Sequence, residues 1–309
     1  MRMNTLIPAS LGAYRKSITS QYGEDGVIER IFEIIGAENK WCVEFGAGAD
    51  NNNTWSLVNQ KGWSGVLIET HPVYYKELVR NYAGNTRVVC LDDFVHWKGG
   101  STLDAILKKT KIPRDFDFLV IDIDGHDYQV WDAVEEYAPR VVMVEYNGNI
   151  PLDVSFVQPA DSRMVRTGSS LRAMVELGKK KGYELAYAHI ANAIFVRKDI
   201  FPRLGITDNR PEAIVEPFWP ERRFFQGYDG ALVLFGGEWG NLLLHKKKVS
   251  GHPVWFLDRG TLRPVVFSRD GKILRAIKKL LSMRYFYALL YPLAVRFYSR
   301  RWQRKKAQL

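Results

Sequence analysis

Apolar positions along the first two hundred residues fall into two alternating rhythms. Val27, Ile28, Ile31, Phe32, Ile34 and Ile35 recur at helical spacing and predict a helix over 25–36, ended by Gly36. A short apolar run at 41–45 (WCVEF) then reads as a buried strand. Helix and strand alternate from there: 54–61 into 65–69, 73–82 into 87–91, 102–109 into 116–123, and 127–136 into 140–146. A helix over 168–181 leads to strands 183–189 and 192–197, joined by the tight Ile190-Ala191 connection. The strands are almost continuously apolar, as expected when both faces of a sheet are covered. Alternation of this kind implies parallel pairing through right-handed crossovers, and the closing hairpin turns the last strand antiparallel. The predicted fold is α/β: a doubly wound, mostly parallel, Rossmann-like sheet with an antiparallel last strand and a C-terminal accessory region. The same rhythm divides the chain into an irregular segment (1–20), a cofactor-binding domain (21–200), a loop and β-rich region (201–270) and a tail (271–309). Residues 206–226, rich in proline and aromatics, read as a long ordered loop or lid. Within 229–267, ALVLF and PVWFL are short apolar runs bounded by turn residues.

The stretch Trp41–Asn53 carries the first chemical signal. A strand ending near Glu44 runs into Gly46 and Gly48, and Asn53 is placed to cap a helix opening at Thr54-Trp55. Strand, glycine turn and helix start form the geometry that lets backbone approach a nucleotide closely. A dinucleotide fingerprint needs a third glycine, and that position holds Asn51. Glu44 and Asp50 would also repel a pyrophosphate. They suit a nucleoside that carries a positive charge, such as the sulfonium of S-adenosylmethionine.

Ligands of an open parallel sheet bind outside the carboxyl ends of its strands. Each of five successive predicted strands ends in an acid: Glu44, Glu69, the pair Asp92-Asp93, Asp122 with Asp124, and Glu145. Glu69 follows the glycine loop by about 20–25 residues, where an acid can take both ribose hydroxyls. In the segment Asp122–Asp127, Gly125 allows a turn and Asp127 is placed to cap the next helix. His126 and Asp124 are candidates for a general base. Asp122, Asp124, Glu145 and Asn147 also present oxygen atoms that suit Mg²⁺, although carboxylates beside a sulfonium need no metal.

Composition narrows the class. With 309 residues, 46% hydrophobic and 25% charged, the chain has the make-up of a soluble globular protein. Cys42 and Cys90 both fall in predicted buried strands and read as core residues of a reduced compartment. No CxxC, HExxH or P-loop pattern occurs, and the first residues lack the apolar run of a signal peptide, so a cytoplasmic protein is expected. The net charge of +10 is concentrated in the tail. Residues 271–309 hold five Lys and six Arg without an acid, so the rest of the chain sums to about −1. Residues 272–306 mix these cations with apolar positions at helical spacing. Pro292 interrupts an uncharged run far shorter than the ~20 residues that span a bilayer. The tail reads as a helix lying at the inner surface of an anionic membrane; an RNA-binding arm, or a helix docked on the body, are the alternatives.

Five stretches taken in order, SQYGEDGVIE, VEFGAGADNNNT, KGWSGVLIE, DFLVIDIDGHDYQVW and VEYN, carry a family likeness. Over residues 19–200 the chain resembles the FkbM-like family of S-adenosylmethionine-dependent methyltransferases, with ADNNN where many relatives have a more glycine-rich loop. The resemblance implies the class I methyltransferase fold and S-adenosylmethionine as cofactor. It implies that Glu44, Gly46, Gly48 and Glu69 hold that cofactor, that Asp92 or Asp93 lies near adenine, and that Asp122 lies near the reacting methyl. Gln21 joins the cofactor set, and Asp122, Asp124, His126 and Glu145 form the catalytic set. The expected activity is O-methylation of a sugar, glycolipid or natural-product hydroxyl. The rival readings are an RNA methyltransferase gripping nucleic acid with the tail, and a non-catalytic module that keeps the fold.

Overall fold

The computed structural model describes residues 10–49, 52–123, 125–148, 150–160 and 168–215, together with the backbone of four short strands beyond residue 222. Asp50, Asn51, Asp124 and the basic tail lie outside the described residues. The chain divides into two compact units, Met1–Phe218 and Trp219–Leu309.

The first unit opens with α1 (Glu24–Ile35) and continues β1 (Trp41–Phe45), α2 (Trp55–Gln60), β2 (Ser64–Ile68), α3 (Pro72–Asn81), β3 (Val88–Leu91), α4 (Leu103–Leu107), β4 (Phe118–Ile121), α5 (Asp127–Asp132), β5 (Val141–Glu145), α6 (Leu171–Lys180), β6 (Tyr183–His189), β7 (Asn192–Arg197) and α7 (Pro211–Ile214). The seven strands form one sheet in the order β3-β2-β1-β4-β5-β7-β6. Strands β1 to β5 are parallel, and β7 runs antiparallel to both β5 and β6. This is the mixed, doubly wound Rossmann-like sheet that the alternating pattern predicts. The order reverses beside β1, which pairs with β2 on one side and β4 on the other, so a crevice opens at the carboxyl ends of these strands.

The period of two along each strand sorts side chains into two cores. Val43, Phe45, Leu119, Ile121, Val142 and Val144 face one side, under α4, α5 and α6. Cys42, Phe118, Val120, Val141 and Met143 face the other, under α1 and α2. Edge strand β3 is less well covered, and Cys90 is half-exposed there rather than buried. Among the described residues no helix is long and apolar enough to cross a membrane.

Several predicted elements are shorter than their apolar runs, for nonlocal reasons. The helix expected over 127–136 stops at Asp132, because the buried Asp104 carboxylate takes the N–H groups of Glu135 and Glu136 at 2.8 and 3.0 Å. Strand β4 begins only at Phe118. The preceding Asp117, fully buried, turns its carboxylate to the N–H groups of Glu38, Asn39 and Lys40 and to the Arg140 guanidinium at 2.7 Å. Arg140 also donates to the carbonyls of Gly36 and Ile35, so one ion pair ties the end of α1 to the starts of β1, β4 and β5. This buried cluster sits at the amino end of the sheet, away from the crevice.

The second unit contains β8 (Arg223–Gln226), β9 (Leu232–Phe235), β10 (Val254–Asp258) and β11 (Thr261–Arg263) in the order β11-β10-β9-β8. The pair β9–β10 is parallel and the outer pairs are antiparallel. Strands β9 and β10 form on the apolar runs ALVLF and PVWFL. The stretch 206–226, expected as a loop, holds α7 and β8.

Candidate functional site

A cleft of about 760 Å³ lies at the carboxyl ends of β1, β2, β4 and β5. Its floor is the turn after β1. Gly46 adopts φ +71°, and a Cβ there would stand 2.0 Å from the Asp122 carbonyl oxygen, so glycine is required for the β1 and β4 turns to meet. Gly48, at φ +60°, has open space on its Cβ side. Its N–H donates to the Glu69 carboxylate at 2.8 Å, and the other Glu69 oxygen accepts the His71 N–H at 2.7 Å. Glu69 is thus buried and oriented from two sides at the end of β2.

Glu44 has a different task from a ligand contact alone. Its buried carboxylate accepts from the Asn53 N–H (2.8 Å), the Thr54 N–H (3.0 Å) and the Thr54 hydroxyl (2.6 Å). The start of α2 is therefore capped by a strand residue across the turn, and not by the Asn53 side chain as the local sequence predicts. Burial pushes the Glu44 carboxyl up to about 7, against the Thr54 and Asn53 hydrogen bonds, and the charge of Asp122 adds to the rise.

The loop after β4 is held the same way. Asp127 is the first residue of α5, but its carboxylate turns back to the N–H groups of Ile123 and Gly125, both at 2.9 Å. It braces the turn that carries Asp122 and His126 instead of capping the helix. Burial raises its carboxyl to about 7 as well.

The SQYGED stretch forms one wall. Asp25 gathers the N–H groups of Ile18, Thr19 and Ser20 and the Ser20 hydroxyl on one oxygen, at 2.7–2.9 Å. Glu24 accepts from the Tyr22 N–H and the Asn192 side-chain amide, both at 2.9 Å. The two acids are thus structural, and they hold Gln21 and Tyr22 against the cleft opposite Ala191 and Asn192.

Of the residues singled out from sequence, Gln21, Glu44, Gly46, Gly48, Glu69, Asp93, Asp122, His126 and Glu145 all line this cleft. Asp92 does not line it, and Asp93 is also paired with Lys109 at 3.1 Å. Asn147 is not among the lining residues either, and its N–H is spent on the Ser169 carbonyl. Among the described residues no three His, Cys, Asp or Glu side chains gather as a metal site. Five carboxylates and one imidazole line the cleft, and no described lining residue is Lys or Arg.

Four participants had no local signal of comparable strength. Phe94, 62% exposed, and Tyr74 stand at the rim. Trp97 stacks on His126, with centroids 4.5 Å apart and planes at 24°, and His96 stacks on Trp97 at 3.9 Å. Gln158, from the loop after β5, is buried with its Nε2 3.3 Å from His126 Nε2. Two aromatics three positions apart in the loop after β3 mark Phe94 and Trp97; nothing in the local sequence marks Gln158.

No family model and no curated protein matches this sequence. Among solved structures, the chain is similar to the N-terminal domain of EvdMO1 with SAH bound, at 13% identity over 58% of this chain and 82% of that one, with a TM-score of 0.38. It is also similar to the methyltransferase domain of bacterial CtHen1-C (13% identity, 56% and 96% covered, TM-score 0.37). A third is the citrinin polyketide synthase CMeT domain (8% identity, 57% and 51% covered, TM-score 0.39).

Proposed function

We propose that the cleft binds S-adenosylmethionine and that the protein is a methyltransferase of the FkbM-like kind, acting on a hydroxyl of a sugar, glycolipid or natural product. The observation that carries this reading is the convergence of five strand-end carboxylates, Glu44, Glu69, Asp93, Asp122 and Glu145, on one cleft without a lining Lys or Arg among the described residues. Such a wall disfavours a pyrophosphate and favours a ligand with cationic groups. The fit extends to hydrogen bonding. Each Glu69 oxygen takes one backbone N–H and keeps a second lone pair, so the carboxylate remains able to accept from two ribose hydroxyls. The Gly46–Gly48 turn lets backbone lie against the cofactor, with Asp93 on the adenine side.

S-adenosylmethionine supplies, when bound, an electrophilic methyl group on a sulfonium. The protein's share is to align an acceptor hydroxyl with it and to take the hydroxyl proton. Asp122, His126 and Glu145 line the cleft and are the described candidates for that proton. Buried Asp127 keeps the turn beneath Asp122 and His126 in place.

Calorimetric titration with S-adenosylmethionine, S-adenosylhomocysteine and NAD tests the cofactor. Binding of the first two without NAD is expected; the reverse overturns the proposal. Incubation with methyl-labelled cofactor and cell fractions tests the acceptor, with label expected in lipid or polysaccharide. Label confined to RNA transfers the reading to nucleic acid.

A further inference from the structure

We infer that Gln158 is a positioning residue that fixes His126 in the Nδ1–H tautomer, so that His126 works in the cleft as a hydrogen-bond donor and not as the proton acceptor. The amide orientation follows from its neighbours. The Gly168 N–H donates to Gln158 Oε1 at 2.8 Å, and a backbone N–H can only meet the oxygen end of the amide. The nitrogen end is therefore the one that faces His126 Nε2 at 3.3 Å. An amide NH₂ has donors and no lone pair to offer, so the imidazole Nε2 must accept. A neutral ring that accepts at Nε2 carries its proton on Nδ1.

Neither partner is placed to swing away. Gln158 is 1% exposed, its own N–H donates to the Ser169 hydroxyl at 3.1 Å, and its carbonyl accepts from the Gln129 side chain. The His126 ring lies flat on Trp97, which is stacked in turn on His96. With the Nε2 lone pair engaged, the proton of an acceptor hydroxyl falls to a carboxylate, and Asp122 and Glu145 are those the cleft presents. That consequence rests on the methyl-transfer reading; the tautomer does not.

The test is a long-range ¹H–¹⁵N correlation spectrum of full-length protein labelled at histidine, at a pH about two units above the ordinary imidazole value. The His126 signals are assigned by their loss in His126→Gln. Wild-type His126 is expected to show its proton on Nδ1, the opposite of the Nε2–H form that free imidazole side chains favour. A proton on Nε2 in the wild type overturns the inference, whatever the Gln158 variant shows. In Gln158→Glu, one oxygen can keep the Gly168 bond while the other accepts from the ring, so the proton is expected to appear on Nε2. A folded Gln158→Glu protein that retains the wild-type pattern removes Gln158 from the role. Neither outcome depends on whether S-adenosylmethionine binds, which titration decides separately.

Discussion

Replacing Glu69 by glutamine probes the cofactor assignment with almost no change of shape. In the wild type one carboxylate oxygen accepts the Gly48 N–H at 2.8 Å and the other the His71 N–H at 2.7 Å. Glutamine can satisfy only one of them, because its NH₂ end then faces a second N–H donor. A buried donor left unsatisfied costs about 1–3 kcal/mol, so the Gly48 turn or the start of α3 should loosen. The ligand loses more. A carboxylate accepting two hydroxyls contributes charge-assisted bonds worth about 1.5–3 kcal/mol each. Glutamine keeps one neutral acceptor at most, and a net loss of roughly 2–3 kcal/mol corresponds to about 30- to 150-fold in Kd. Alanine removes both acceptors and should lie at or beyond about a hundredfold. Titration of S-adenosylhomocysteine into wild type, Glu69→Gln and Glu69→Ala reads the effect, with thermal unfolding as the control for a preserved fold. If both folded variants bind within about twofold of wild type, Glu69 does not hold the ligand and the reasoning from strand-end acids fails.

Four further outcomes follow from the same geometry. Glu44 and Asp127 titrate near 7 in the folded protein, above their ordinary values of 4.5 and 3.8, so between those limits the folded state binds more protons than the unfolded one. Apoprotein stability should therefore fall as pH rises towards 7, from about 4.5 for Glu44 and from about 3.8 for Asp127, and Glu44→Gln should flatten the slope in urea titrations. A cationic ligand favours ionised Glu44, so affinity should instead rise over the same window with proton release, which calorimetry in buffers of different ionisation enthalpy detects. Gly46→Ala, whose Cβ would stand 2.0 Å from the Asp122 carbonyl oxygen, should lower both Tm and ligand affinity, whereas Gly48→Ala meets no neighbouring atom and should cost only about 1–2 kcal/mol of backbone strain. Arg140→Met strands the fully buried Asp117 carboxylate and should destabilise the fold by about 3–5 kcal/mol in chemical denaturation, while ligand affinity, at the other end of the sheet, stays near wild type.

The chain's own pattern was enough for the helix–strand alternation up to residue 197 and for the antiparallel hairpin, though not for α7 and β8 within 206–226: β6 and β7 occupy 183–189 and 192–197 as read, because apolar alternation and a tight two-residue turn are local properties. The acids at the strand ends were legible for the same reason, since the end of an apolar run marks where a side chain leaves the core. What each acid does was not legible. Glu44 caps a helix ten positions on, Asp25 folds the segment before it, Asp127 turns backwards, and Asp117 joins Arg140 across the foot of the sheet. Gln158 reaches His126 from a loop more than thirty residues away. A buried polar group must find partners, and which partners are within reach is decided only when strands β1, β4 and β5 lie side by side; helical and strand periodicity constrain where a side chain starts, but the hydrogen bonds it completes belong to the packed sheet.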